Sequence, residues 1–188
     1  MNTEKKMIIE SIIISSDLSG LINFAPFGIK KKNDLIFISP YFPSTTLKNL
    51  KINKYASVNY TDQAIVFVDC LLGKKNFKTN KCKKKNSFFL QDSLSHDEVE
   101  VIEYIHDKLR PTFKCKILNS SINNRFNGIN RANNSIIEAC ILASRVRLLE
   151  KEKIFNELKY LSIAVEKTSG ESELRAWKKI NEYIKKNT

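Results

Sequence analysis

The chain has 188 residues, of which 42% are hydrophobic, and it carries a formal net charge of +12. A mean hydropathy of −0.31 and the lack of any long apolar run exclude a membrane-spanning helix, and the length suits one domain, or one domain with a helical annex. The four cysteines, at 70, 82, 115 and 140, form no CxxC pair and share no Cys/His spacing suited to zinc, so neither a disulfide framework nor a metal site is expected.

The opening Met1-Asn2-Thr3-Glu4-Lys5-Lys6 lacks a small-residue cleavage site, and no signal peptide is expected. Residues 8–15 are apolar and β-branched and read as a buried strand. Asp17-Leu18-Ser19-Gly20 supplies turn chemistry, and residues 21–29 return as a second strand. That strand holds Asn23, Phe24, Ala25, Pro26, Phe27 and Gly28 in sequence. Pro cannot donate to a ladder, and Gly admits another backbone or a flat ligand. Residues 30–34 read as a polar turn and 35–39 as a third strand.

Ser44 or Thr45 caps a helix running to about residue 55. Ser44, Thr45 and Thr46 put a hydroxyl cluster at its N-terminus, where unpaired N–H groups and the dipole favour an anion. An ordinary Ser/Thr cap accounts for the same residues. Residues 56–60 form a short strand ending in Asn59 and Tyr60. Asp62 then caps an apolar helix over 63–72 that stops at Gly73.

Residues 74–85 read KKNFKTNKCKKK, with seven lysines. The stretch has no arginine and no apolar period, and it is expected to be a mobile solvated loop rather than a nucleic-acid reader. His96 is expected in a surface turn. Residues 98–108 and 111–122 form an antiparallel hairpin, the first strand bulged.

The period then switches to 3.6. Residues 130–149 form a buried helix of about five turns, opened by Asn130 and Arg131. Arg131 is placed to clamp a phosphate, though a surface arginine near a helix start reads equally well. Ile154, Leu158, Leu161 and Val165 mark a second helix, and Leu174, Trp177, Ile180 and Ile184 a third. Strands followed by helices give an α+β class. The expected boundary separates a strand domain over 1–125, with the lysine loop at 74–86, from a helical subdomain over 126–188. No HExxH, GxSxG, P-loop or GxGxxG occurs, so any chemistry is expected to belong to a bound cofactor.

Several runs together carry a resemblance. They are NFAPFG after the first strand, PYFPSTTLKNL, VNYTD, NRANNSIIEACILASR and EKTSGE. They resemble an uncharacterised FMN-binding split-barrel family of archaea and methylotrophic bacteria. The resemblance implies a six-stranded antiparallel split barrel, a C-terminal three-helix bundle, FMN at a homodimer interface, and a place in tetrahydromethanopterin-linked one-carbon metabolism; the unpaired cysteines in apolar patterns lead to the expectation of a cytoplasmic protein. The phosphate maps onto Ser44, Thr45 and Thr46. The family often has Arg where this chain has Thr45, which leaves Lys48 or Arg131 to supply the charge.

Expected cofactor contacts are Asn23, Ala25, Pro26, Phe27, Gly28, Ser44, Thr45, Thr46, Asn59, Asn130 and Arg131; no catalytic residue is assigned. The first expectation is an FMN-binding redox enzyme acting on a pterin-like small molecule. A non-catalytic flavin-binding accessory protein is the alternative, and a basic RNA-associated module the third. Membrane and nucleic acid are not expected as partners.

Overall fold

The structure, a computed structural model, describes residues 7–74 and 76–188. The N-terminal hexapeptide and Lys75 of the lysine-rich stretch lie outside the described residues. By contact the chain divides into two compact units: Met1–Thr61 with Lys75–Arg125, and Asp62–Lys74 with Phe126–Thr188.

The first unit begins with β1 (Ile8–Ser16) and β2 (Ile22–Lys32). Asp17 closes their turn by accepting from the amides of Ser19 and Leu21, both at 2.9 Å. β3 (Leu35–Ile38) follows the short turn at Asn33, whose φ is 53°. The polar turn expected over 30–34 is thus mostly strand. After α1 (Thr45–Ile52) come β4 (Tyr55–Tyr60), β5 (Thr79–Lys81), β6 (Phe88–Leu90), β7 (Ser95–Ile105) and β8 (Thr112–Ile122). Six of these close an antiparallel barrel in the order β1-β2-β3-β8-β7-β4, and β5 pairs with β6 as a separate hairpin.

Alternation along each strand fills the barrel. Ile13, Ile29, Ile36, Ile38, Val58, Val99, Phe113 and Cys115 form one buried cluster, closed by Leu47 and Leu50 of α1. Their spacing of two is the period that points side chains to one face. β7 is bulged as expected, with register shifts at Glu98/Val99 and Val101/Glu103.

The lysine-rich stretch is held at several points. Thr79–Lys81 pairs with Phe88–Leu90. The amides of Lys83 and Lys84 donate to the two Glu98 oxygens at 2.8 and 2.7 Å. Phe77 packs against Phe24 with tilted rings, their centroids 4.9 Å apart. Among the described residues of this stretch the lysine side chains are exposed, while backbone amides beneath them are bonded.

The second unit contains α2 (Ala64–Leu71), α3 (Arg131–Ser144), α4 (Lys151–Thr168) and α5 (Glu171–Asn187). α2 thus clusters with the C-terminal helices, a grouping that a linear boundary at residue 125 does not express. Asp62 is not its cap: Gln63 holds that position without a side-chain bond, and the carboxamide oxygen of Asn133 accepts from Ala64 N at 3.1 Å. Asp69, nearly buried, receives Lys179 at 2.7 Å and Lys74 at 2.9 Å. α3 is a turn shorter than expected, and Leu148, read as part of its apolar face, is 83% exposed. Among the described residues no helix is long and apolar enough to cross a membrane.

Candidate functional site

A short helix positions the first candidate. The α1 sequence TTLKNLKI puts Thr46, Asn49 and the C-cap Asn53 on one face at helical spacing. Each bonds the barrel wall. Asn23 Nδ2 donates to Thr46 Oγ1 at 3.1 Å, Asn49 Nδ2 to Ser15 Oγ at 3.2 Å, and Asn53 Nδ2 to Ser16 Oγ at 3.0 Å. Leu47 and Leu50 sit between these bonds and enter the core. The helix N-terminus is thereby fixed relative to β1 and β2.

At that N-terminus Ser44 Oγ accepts from Leu47 N at 3.2 Å, an ordinary cap. The helix leaves the amides of Thr45 and Thr46 without an intrahelical acceptor. Beside them lies a groove of about 540 Å³ lined by Phe42, Pro43, Ser44, Thr45, Leu47, Lys48 and Lys51. No acidic residue occupies the first turn. Phe42 is 62% exposed, and its amide donates to Leu109 O at 3.0 Å, which ties this loop to the β7–β8 turn. Two lysines, free helix amides and an exposed aromatic ring together can take a phosphate bearing a flat ring system. Phe42, Lys51 and the Leu109 contact were not picked out in the sequence. Spacing relates Lys51 to Lys48 through i, i+3, but only the folded groove identifies their shared opening.

The other expected contacts divide. Thr46 is buried, and its hydroxyl is bonded to Asn23, so these two side chains hold each other. Ala25 pairs with Ile13, and Phe27 packs partly on the core. β2 pairs with β3 only through Lys30, Lys31 and Lys32, so the Asn23-to-Gly28 run keeps a second edge without a ladder partner among the described residues. Gly28 has a structural cause: a Cβ there would stand 2.7 Å from Ile8 Cγ2 and 3.1 Å from Glu10 Oε1. The close approach read as room for a ligand is taken by β1.

Asn59 is fully buried and bonded at both its nitrogen and its oxygen. Its Nδ2 donates to Ile12 O at 3.1 Å and Ser57 Oγ at 2.8 Å, and its Oδ1 accepts from Leu90 N at 2.8 Å. It brackets the β5–β6 hairpin and leaves no group for a ligand. Asn130 likewise caps α3, accepting from Ala132 N at 2.8 Å and donating to Thr168 O at 2.9 Å. Arg131 is exposed in the helical unit and lines a groove with Asn134, Ser135, Tyr160, Ile163 and Ala164.

A second cluster was missed. His96 is not in a surface turn. It lies in β7, 2% exposed, with its ring stacked on Phe89 at 3.9 Å. Its Nδ1 faces the Asn123 carboxamide, while its Nε2 has no hydrogen-bond partner and lies 3.7 Å from Glu98 Oε1. Burial holds the imidazole below its ordinary value despite Glu98 beside it. Cys82, from the hairpin turn, brings its sulfur to the same place, the three groups lying within 4.8 Å of one another. Burial pushes the Cys82 thiol up to about 11. The i, i+2 spacing of His96 and Glu98 on a strand was the available signal; the third group comes from the hairpin.

No protein of curated function matches the chain. Among solved structures it is similar to the FMN-bound protein MM1853 from Methanosarcina mazei, with 22% identity, a TM-score of 0.81, and 95% of this chain and 96% of that one covered. It is also similar to flavoredoxin from Methanosarcina acetivorans, with 15% identity, a TM-score of 0.55, and coverage of 67% and 76%. The 2-nitrobenzoate 2-nitroreductase NbaA of Pseudomonas fluorescens gives 18% identity, a TM-score of 0.52, and coverage of 64% and 66%. At these identities the likeness establishes the fold alone, a six-stranded antiparallel split barrel of α+β class with C-terminal helices. Residues 9–124 match the model described as the N-terminal domain of a protein of unknown function (DUF447), and residues 130–182 match its companion, described as protein of unknown function (DUF447). With both halves matched in order, the chain belongs to the DUF447 family.

Proposed function

We propose that the protein is an FMN-binding flavoprotein. The observation that carries this reading is the groove at the start of α1, where free amides, Lys48 and Lys51 converge beside Phe42 without an acidic residue in the first turn. Lys48 and Lys51 there supply charge that Thr45 does not. The FMN-bound relative in the same family supports the choice of flavin over other phosphorylated rings. A bound flavin supplies electron transfer. The chain's own residues bind the phosphate, hold α1 rigid through Asn23, Asn49 and Asn53, and cover one ring face.

The finer reading is a redox enzyme acting on a pterin-like small molecule in tetrahydromethanopterin-linked one-carbon metabolism or its cofactor biosynthesis. The family resemblance supports it. No histidine or cysteine lines the groove, which favours the alternative of a flavin-binding accessory protein without its own acid–base chemistry. Turnover with reduced nicotinamide or a reduced deazaflavin decides between them.

The proposal includes a two-fold homodimer. Exposed Phe42, Tyr104 and Leu109 lie by the groove, Tyr104 under the Lys51 ammonium and Leu109 bonded to Phe42, and offer apolar surface to an isologous partner. Freshly purified protein is expected to be yellow and to scatter light as a dimer. FMN is expected to bind more tightly than riboflavin, by about 1.5–3 kcal/mol for each charge-assisted bond to phosphate. Equal affinity for the two by calorimetry overturns the placement, and a monomer with flavin fully bound overturns the dimer.

A further inference from the structure

We infer that Cys82, His96 and Glu98 form a binding site for a divalent transition-metal ion of the zinc type, on the outer wall of the barrel and apart from the α1 groove. The ligand set is one thiolate, one imidazole and one carboxylate, the three donors that zinc accepts, and three protein ligands leave one position open. Their atoms lie within 4.8 Å of one another. Tetrahedral coordination at ordinary zinc bond lengths places ligand atoms about 3.3–3.5 Å apart. His96 Nε2 lies 3.7 Å from the nearer oxygen of the Glu98 carboxylate, so these two groups are already close to that spacing. Rotation of the partly exposed Cys82 side chain closes the rest.

The independent sign is the nitrogen itself. His96 Nε2 is buried, without a hydrogen-bond partner, and aimed at the cluster. A buried polar atom left unpaired is costly and needs an occupant or a cause. The surroundings have the form of a ligand-orienting shell. His96 Nδ1 is held by Asn123, whose Nδ2 also donates to Ser93 Oγ at 2.8 Å. The Glu98 carboxylate is oriented by Lys83 N, Lys84 N and Asn119 Nδ2. Lys83 N and Asn119 Nδ2 take both acceptor positions of Oε1 and Lys84 N takes one of Oε2, so the position left for a metal is on Oε2. Among the described residues, His96 is the only basic side chain within ion-pair distance of Glu98. A dication neutralises the carboxylate and the Cys82 thiolate together. It also clamps the β5–β6 turn onto β7.

The test uses full-length protein stripped by a chelator and titrated with Zn²⁺ or Co²⁺. Wild type is expected to bind one ion per chain, and the cobalt form to show a thiolate-to-metal charge-transfer band in the near ultraviolet. Cys82→Ser, at a partly exposed turn, is expected to keep its circular dichroism and lose that band. His96→Gln is expected to lose at least about tenfold in affinity, and Asn123→Ala about 10–100-fold. His106→Gln, at the exposed histidine outside the cluster, leaves binding unchanged. Zn²⁺ is also expected to slow alkylation of Cys82. Absence of stoichiometric binding, a cobalt band that survives in Cys82→Ser, or loss of binding in His106→Gln overturns the site. If His96→Gln fails to fold, the band in Cys82→Ser decides alone.

Discussion

Asp97 shows how single residues in this barrel combine burial with charge. It pairs with Val58 of the core cluster and so points to the same face. Burial alone would raise its carboxyl. Hydrogen bonds from Lys31 at 2.8 Å, from Ser120, and from Tyr60 at 2.7 Å outweigh this and hold it below the usual carboxylate range. The folded value is depressed, so the contribution is present above the unfolded value of about 3.9 and is lost as pH falls through the folded one. Asp97→Asn is expected to lower stability at pH 7 by about 1.5–3 kcal/mol in urea denaturation. The difference from wild type should be nearly full above about pH 5 and shrink as pH is lowered from about 4 toward the depressed folded value. A constant difference across that range would refute the ion pair as the cause. At this scale the sequence marked positions better than bonds. Asn23 and Thr46 were both singled out, but their mutual bond was not foreseeable, because 23 residues separate them. Gly28 was recognised as a close approach; what approaches is Ile8 from the paired strand.

Periodicity made the regular elements legible: β1, β8, α4 and α5 lie where the spacing of apolar residues puts them, and α3 starts there but ends a turn early. The β5–β6 hairpin was not legible. Each strand has three residues, too few to show a period of two, and the lysines around them report only on solvated side chains. What holds the hairpin comes from other strands: Asn59 for Leu90 N, Ser57 Oγ donating to Phe88 O at 2.6 Å, and Glu98 for the turn amides. Asn59→Ala removes the first of these and strands a buried N–H. It is expected to cost about 1–3 kcal/mol and to speed hydrogen exchange selectively across residues 79–90. Uniform acceleration over the whole barrel would show instead that Asn59 supports β1 and β4 alone.

At the scale of the whole chain, the order of elements conceals which of them belong together. The chain leaves the barrel after β4, contributes α2 to the helical unit, and returns to the barrel before β5. Reading along the sequence, a break in composition near residue 125 is visible and the excursion is not, since an apolar helix between strands looks like any crossover. α2 buries Phe67, Val68 and Cys70, receives a capping bond from Asn133 of α3, and pairs Asp69 with Lys179 of α5. A fragment of residues 1–125 therefore carries α2 without α3 and α5. It would present those apolar side chains to water and strand the Asp69 carboxylate with Lys74 alone. Exposed apolar surface of this kind drives association. The fragment is expected to bind a hydrophobic dye strongly and to aggregate on purification, whereas adding a 126–188 fragment during refolding should suppress both. A 1–125 fragment that stays monomeric, binds no dye and unfolds in one cooperative transition would show that α2 needs no helical partner.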